Sequence, residues 1–174
     1  MVGRGDDWET PLETWQDIAD HVVLPPNVTV WDPFFSTGRA LGLLRTVFPR
    51  HEVVHRQEDF FAVDPPPNAC IVTNPPFSRT SRILTRMLTL GVPFAILLHQ
   101  RTICNQGMLR LAARYGTSMW YYIPSKRVDF IRPHEVTATR GGAHFHSVWL
   151  VRGLQPRNVP PGRILWYERN RPEE

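Results

Sequence analysis

Residues 93–99, PFAILLH, form an unbroken apolar run. A strand exposed on one face alternates apolar with polar residues. A run without alternation is covered on both faces, as the central strand of a parallel sheet is. That requirement points to an α/β chain with helices on both sides of a mostly parallel sheet. The rest of the sequence supplies matching parts. VTVWD (28–32), preceded by Pro25-Pro26-Asn27, reads as a strand, as do EVVH (52–55) and the buried ACIVTN (69–74). TGRALGLLRTVF (37–48) has helical spacing and is closed by Pro49. SRTSRILTRMLTLG (78–91) repeats the pattern, with Ser78 expected as N-cap and Gly91 as the stop. A helix over residues 106–115 follows, then SMWYYIP (118–124), whose aromatics read as core. AHFHSVWLV (143–151) reads as a strand with His144 and His146 on one face.

Several function classes are excluded at this stage. No run approaches the roughly 18 apolar residues of a membrane span. The N-terminus MVGRGDDWET lacks a signal peptide's apolar region, so the chain reads as intracellular (cytoplasmic, nuclear, or viral or phage-encoded) and not secreted. Cys70 and Cys104 make neither a disulfide framework nor a CxxC site, and both read as inert buried thiols. His134, His144 and His146 lack a Cys or carboxylate to complete a metal site, so no metal is expected. Lys and Arg number 20 against 16 Asp and Glu, nearly all the cations being Arg. Arginine suits phosphate and base contacts, so the balance is compatible with nucleic acid.

Ligands of open α/β sheets bind at the carboxyl ends of the strands. Three segments sit there: DPFFSTG (32–38), EDFF (58–61) and NPPFS (74–78). The first opens a helix, where backbone amides can meet a ligand. The second offers acidic acceptors beside an aromatic. The third is the most unusual. Pro75 and Pro76 fix φ and remove two N–H groups, which holds the turn extended. Free carbonyls, the Asn74 side chain and the ring of Phe77 then form a set of acceptors beside an aromatic plate. That combination suits an exocyclic amine on a planar ring.

Taken in order, VWDPFFSTG, EDFF and IVTNPPFS resemble the motifs of S-adenosylmethionine-dependent amino methyltransferases with an (N/D)PP(Y/F) signature. DDWETPLETWQDIADHV resembles the W-x-TP segment that precedes the first strand in DNA adenine-N6 methyltransferases. PSKRVDF followed by HFHSVWLV resembles their late motif. The likeness covers roughly residues 8–151.

The resemblance implies a Rossmann-like methyltransferase fold, a mostly parallel sheet with a C-terminal antiparallel hairpin, over residues 1–153, with an extension at 154–174. The short segment between the second and third motifs leaves the fold one helix short. The implied cofactor is S-adenosylmethionine. Asp32, Phe34 and Gly38 would border its methionine part, Thr10 and Pro11 would close over its carboxylate, and Asp59 and Phe60 would hold its adenine. Asn74, Pro75, Pro76 and Phe77 would form the catalytic pocket for N6 of adenine in DNA, with RNA or a protein glutamine as other substrates of the same chemistry. Lys126, Arg127, Arg132 and Arg140 would contact phosphates on the NPPF side of the sheet. There is no room for a large target-recognition domain, so loops or a partner subunit would read sequence. Two departures favour a rival reading as a non-catalytic binding or structural subunit. Ser36 stands where the first motif has a glycine, and His55 stands near where an acid for ribose is usual, with only Glu58 close by.

Overall fold

The computed structural model describes residues 8–115, 119–133 and 145–167. Helix α1 (Leu12–His21) leads into a short strand β1 (Val22–Val23), then β2 (Thr29–Trp31), α2 (Ala40–Val47), β3 (Glu52–Val54) and β4 (Ala69–Thr73). Helix α3 (Thr80–Leu90), β5 (Phe94–His99), α4 (Gln106–Tyr115) and the strands β6 (Met119–Tyr122), β7 (Ser147–Arg152), β8 (Gln155–Pro156) and β9 (Ile164–Tyr167) complete it. The main sheet has seven strands in the order β3-β2-β4-β5-β7-β6-β9. From β3 to β5 neighbours run parallel; from β5 to β9 they run antiparallel. β5 is therefore central, and its first five residues are buried, as the PFAILLH run requires. No helix stands between β3 and β4, as the short sequence there predicts.

Successive side chains point to opposite faces of the sheet, and both faces are buried, which gives two cores. Cys70, Val72, Ala95 and Leu97 pack on one face with Trp15 and Ile18 of α1 and Leu44 of α2. Ile71, Phe94, Ile96 and Leu98 pack on the other with Ile83, Leu84, Met87 and Leu88 of α3 and Met108 of α4. Gly91 ends α3 in the left-handed conformation, φ 72°, where a side chain would be strained. Ser78, by contrast, is no N-cap. It lies inside a 3-10 turn over Phe77–Arg79, and α3 begins two residues later without a side-chain cap.

Three further expectations change. Helix α1 was not foreseen, because only Leu12, Trp15, Ile18 and Ala19 carry its apolar stripe among acidic residues. The last strand of the hairpin starts at Ser147, so exposed His146 precedes it and shares no strand face. His144 and His134 lie outside the described residues, and no metal-holding cluster exists among those described. Cys70 is buried, and burial pushes its thiol up to about 12, but Cys104 is exposed rather than buried. Trp120, Tyr121 and Tyr122 are all buried, so they are core. No described helix is long and apolar enough to cross a membrane.

Candidate active site

The carboxyl ends of β2, β3 and β4 deliver the three loop segments to one place. A cavity of about 190 Å³ is lined by Phe34 and Ser36 from the first, Asp59 and Phe60 from the second, and Asn74 and Pro75 from the third. A smaller adjoining cavity, about 40 Å³, adds Thr10, Asp32 and Thr37. Phe34 and Asn74 line both. The rings of Phe34 and Phe60 lie 5.1 Å apart and tilted, giving the larger cavity an aromatic wall. Arg86 of α3 fixes that wall by donating to the carbonyls of Phe60 (2.8 Å) and Val63 (2.7 Å).

The first turn is tight by necessity. Gly38 has φ 84°, and a Cβ there would stand 2.7 Å from the Phe35 ring. Gly38 thus shapes the turn but lines neither cavity. Ser36 adopts φ 45°, the left-handed region that favours glycine. The serine therefore holds a backbone conformation that a glycine adopts without strain.

Asp32, immediately after β2, is buried. Its Oδ1 accepts from the Thr73 hydroxyl and from Phe34 N–H (3.3 Å). His55, immediately after β3, points its Nδ1 at the Asp32 carbonyl (3.0 Å) and at Oδ2 (3.2 Å), and its ring stacks on Phe35 at 5.0 Å. Burial favours the neutral imidazole. Hydrogen bonds to Asp32, its charge, and main-chain acceptors oppose burial and together hold His55 above its ordinary 6.5. So the residue in the acid's sequence place is committed to Asp32, while Glu58, three residues on, lines the larger cavity.

Over these loops lies the N-terminal segment. Glu9 and Ile131 exchange two backbone hydrogen bonds, 2.8 and 2.9 Å, which hold Trp8 and Thr10 across the mouth. The buried Glu9 carboxylate accepts from Thr37 and from Arg39 (2.7 Å). Pro11 is buried and immediately precedes α1; it lines neither cavity. Among the described residues, Thr10 Oγ1, Trp15 Nε1 and Asn74 Oδ1, all from residues that line the cavities, are buried without a partner, as is His55 Nε2 behind them. The other end of the Asn74 amide donates to the Trp8 carbonyl at 3.4 Å, which leaves Oδ1 as an acceptor without a donor. Buried polar atoms without partners are costly, on the order of 1–3 kcal/mol, and such atoms beside a cavity mark where a ligand completes their hydrogen bonds.

The NPPF turn is less open than the sequence suggests. The Pro76 carbonyl accepts from Arg79 N–H (3.2 Å), so it belongs to the 3-10 turn. Phe77 lines neither cavity. It is half-buried, edge-on to Phe145 (5.4 Å) and Phe130 (6.1 Å). His99, ending β5, stacks on Phe145 at 4.5 Å and accepts from Arg101 N–H through Nδ1 (3.0 Å). Burial and the charge of Arg101 hold this histidine below 6.5. His99, Phe130 and Phe145 were not singled out from the sequence. The only local signal was a polar residue ending an apolar strand.

The basic residues divide. Arg132 lies 5.8 Å from the ring of Trp8, a lining residue of both cavities. Lys126 and Arg127 instead line a separate groove beside Glu13 and Asp17 of α1, and Arg127 pairs with Asp129 at 3.5 Å. Arg140 lies outside the described residues. Arg79, not foreseen, lines the larger cavity.

No protein-family model and no curated protein matches the chain. Among solved structures the chain is similar to the 23S rRNA methyltransferase ErmE, 17% identical, over 88% of this chain and 71% of that one, with a TM-score of 0.50. It is also similar to a dimethyladenosine transferase from Plasmodium falciparum, 11% identical, over 86% of this chain and 63% of that one, with a TM-score of 0.47. With the strand order and the strand-end cavity, the first likeness establishes the architecture: the chain has the Rossmann-like fold of methyltransferases.

Proposed function

We propose that the chain is an S-adenosylmethionine-dependent methyltransferase acting on the exocyclic N6 amine of adenine in DNA. One observation carries this reading: Asn74 Oδ1, a buried acceptor without a donor, stands beside a cavity built jointly from all three strand-end segments. The residues present fit the cofactor. Thr10 Oγ1, with Pro11 behind it, would meet the methionine carboxylate. Asp32, Phe34 and the Gly38 turn would flank the methionine chain, and Asp59 and Phe60 the adenine, with Glu58 available to ribose hydroxyls. When bound, that group supplies an electrophilic methyl on a sulfonium.

The protein's own part is orientation. Asn74 Oδ1 and the Pro75 carbonyl accept the two N–H bonds of the target amine. Both acceptors lie in one rigid turn, so the nitrogen lone pair is aimed at the cofactor side of the cavity. An aromatic amine is neutral, so no strong base is needed, and the rate gain comes from positioning. Phe77, half-buried against Phe130 and Phe145 and outside both cavities, would meet the base through the part of its ring left exposed. Arg132 at the mouth is placed for a phosphate. The similar structure named as a 23S rRNA methyltransferase supports nucleic acid as the substrate class, and the sequence likeness to DNA adenine-N6 enzymes favours DNA.

A second reading, a binding subunit without catalysis, is favoured by His55 at the end of β3. Incubation with labelled S-adenosylmethionine and duplex DNA, single-stranded DNA, RNA or protein, followed by nucleoside mass spectrometry, separates the readings. Label in N6-methyldeoxyadenosine is expected. Label in RNA alone reassigns the substrate, and cofactor binding without transfer to any of them supports the second reading.

A further inference from the structure

Between Pro65 and Val128 the chain carries no Asp or Glu over 64 residues, while holding eight of its 20 Lys and Arg. All 16 carboxylates lie in the other 110 residues, which together carry a net charge of −4 against +8 for this segment. The fold gives the segregation a direction. The segment contains α3 and α4, the two helices on one side of the sheet. Arg79, Arg82, Arg101, Arg110 and Arg114 are all exposed. None has an ion-pair partner among the described residues.

The arginines begin at the candidate active site. Arg79 lines its cavity. Arg82, one turn into α3, places its guanidinium 4.0 Å over Phe61, which lines the same cavity. Arg101 follows His99 at the carboxyl end of β5. Arg110 and Arg114 are four residues apart on α4, so they share a helix face, and Arg114 lies 5.7 Å from the Tyr115 ring. Exposed arginines of an ordinary surface find carboxylates nearby. Five without one among the described residues, on one layer of the fold and two of them at the cavity, make a field of a single sign. Glu58 and Asp59 line the cavity but pair with none of the five.

We infer that the outer face of α3 and α4, through Arg79, Arg82, Arg101, Arg110 and Arg114, is the docking surface for the phosphate backbone of a nucleic acid, in preference to the Lys126-Arg127 turn. The inference rests on the methyltransferase reading only for the identity of the reacting base. Arg82 and Arg114 stand against aromatic rings rather than carboxylates, which leaves their N–H donors for phosphate oxygens. The Lys126-Arg127 turn is a poorer candidate because Glu13, Asp17 and Asp129 surround it.

The test compares Arg110→Gln/Arg114→Gln and Arg79→Gln/Arg82→Gln with Lys126→Gln/Arg127→Gln. Binding of a fluorescent DNA duplex is titrated over a range of salt, and cofactor affinity is measured on the same samples. Each lost duplex phosphate contact lowers the slope of log K against log salt by about 0.9. The two α3–α4 pairs are expected to lower it by roughly 1 to 2 each, and the Lys126-Arg127 pair to leave it unchanged. Because Arg110 and Arg114 do not line the cavity, their variant is expected to bind the cofactor as the parent does. A parental slope in both arginine pairs, with a fall in the Lys126-Arg127 pair, overturns the surface while leaving the nucleic-acid reading intact. A parent that binds S-adenosylmethionine but neither duplex nor single strand at low salt overturns both.

Discussion

Replacing His55 with alanine tests whether the Asp32–His55 pair holds the cavity together. The variant loses the contact to the Asp32 carboxylate and carbonyl, 3.2 and 3.0 Å, and the 5.0 Å stack on Phe35. A hydrogen bond to a charged group is worth about 1.5–3 kcal/mol, and an aromatic pair about 0.5–1.5 kcal/mol. Their mid-range values put the loss at about 3 kcal/mol, which for a chain of this length lowers Tm by roughly 6–12 °C. The loss also depends on pH. The folded-state pKa of His55 lies above the unfolded 6.5. Stabilisation by the protonated ring is therefore complete below pH 6.5 and fades as pH rises through the folded value. Above that value the hydrogen bond is neutral, worth about 1 kcal/mol, and the deficit shrinks to about 2 kcal/mol. Urea unfolding followed by tryptophan fluorescence at a series of pH values from 6 upward, parent against variant, reads the deficit and its fall. A deficit below about 1 kcal/mol at pH 6, or one that does not fall as pH rises, would refute the reasoning.

Ser36→Gly relieves a left-handed serine, worth about 1–2 kcal/mol, and returns about 0.4–1 kcal/mol to the unfolded chain's entropy. A net gain of about 0.5–1 kcal/mol in urea is expected, with cofactor affinity equal or tighter because Ser36 lines both cavities. With a thiol reagent under native conditions, one equivalent at exposed Cys104 is expected to react quickly, while buried Cys70, whose thiol is pushed up to about 12, reacts only on unfolding. Two fast equivalents would contradict that assignment. Phe77→Ala is expected to weaken handling of the nucleic acid by roughly ten- to a hundredfold, the range of one lost base stack of about 1–3 kcal/mol, while cofactor affinity holds. Unchanged kinetics would make Phe77 core alone.

What the sequence revealed, and what it hid, follows the range of the interactions. Strand β5 and helix α4 are legible because burial on two faces, or on one stripe, writes itself into neighbouring residues. The turns after β2 and β4 are legible because Gly38 and Pro75-Pro76 restrict the backbone locally. Helix α1 was missed because its stripe is thin and its acidic residues face elsewhere: Asp17 accepts from Tyr122, 105 positions away. The pairing of His55 with Asp32 spans 23 residues, and neither residue type announces the other. Of the acids around Lys126 and Arg127, Asp129 is local, but Glu13 and Asp17 come from α1, more than a hundred positions back, so the sequence shows a basic turn where the fold shows a balanced groove. Phe77 reads as an exposed plate, yet its bracing by Phe145 depends on a strand that pairs from the far side of β5.

The central claim is that Asn74 is the amine acceptor of a methyl-transfer site. It is tested most directly by measuring single-turnover transfer of labelled methyl by the parent and by Asn74→Ala, with cofactor affinity determined on the same samples. Loss of one positioned hydrogen bond, about 1.5–3 kcal/mol, together with misorientation of the lone pair, predicts at least a roughly hundredfold fall in transfer with unchanged cofactor affinity and an unchanged melting profile. Transfer at the parental rate by the alanine variant would contradict the account.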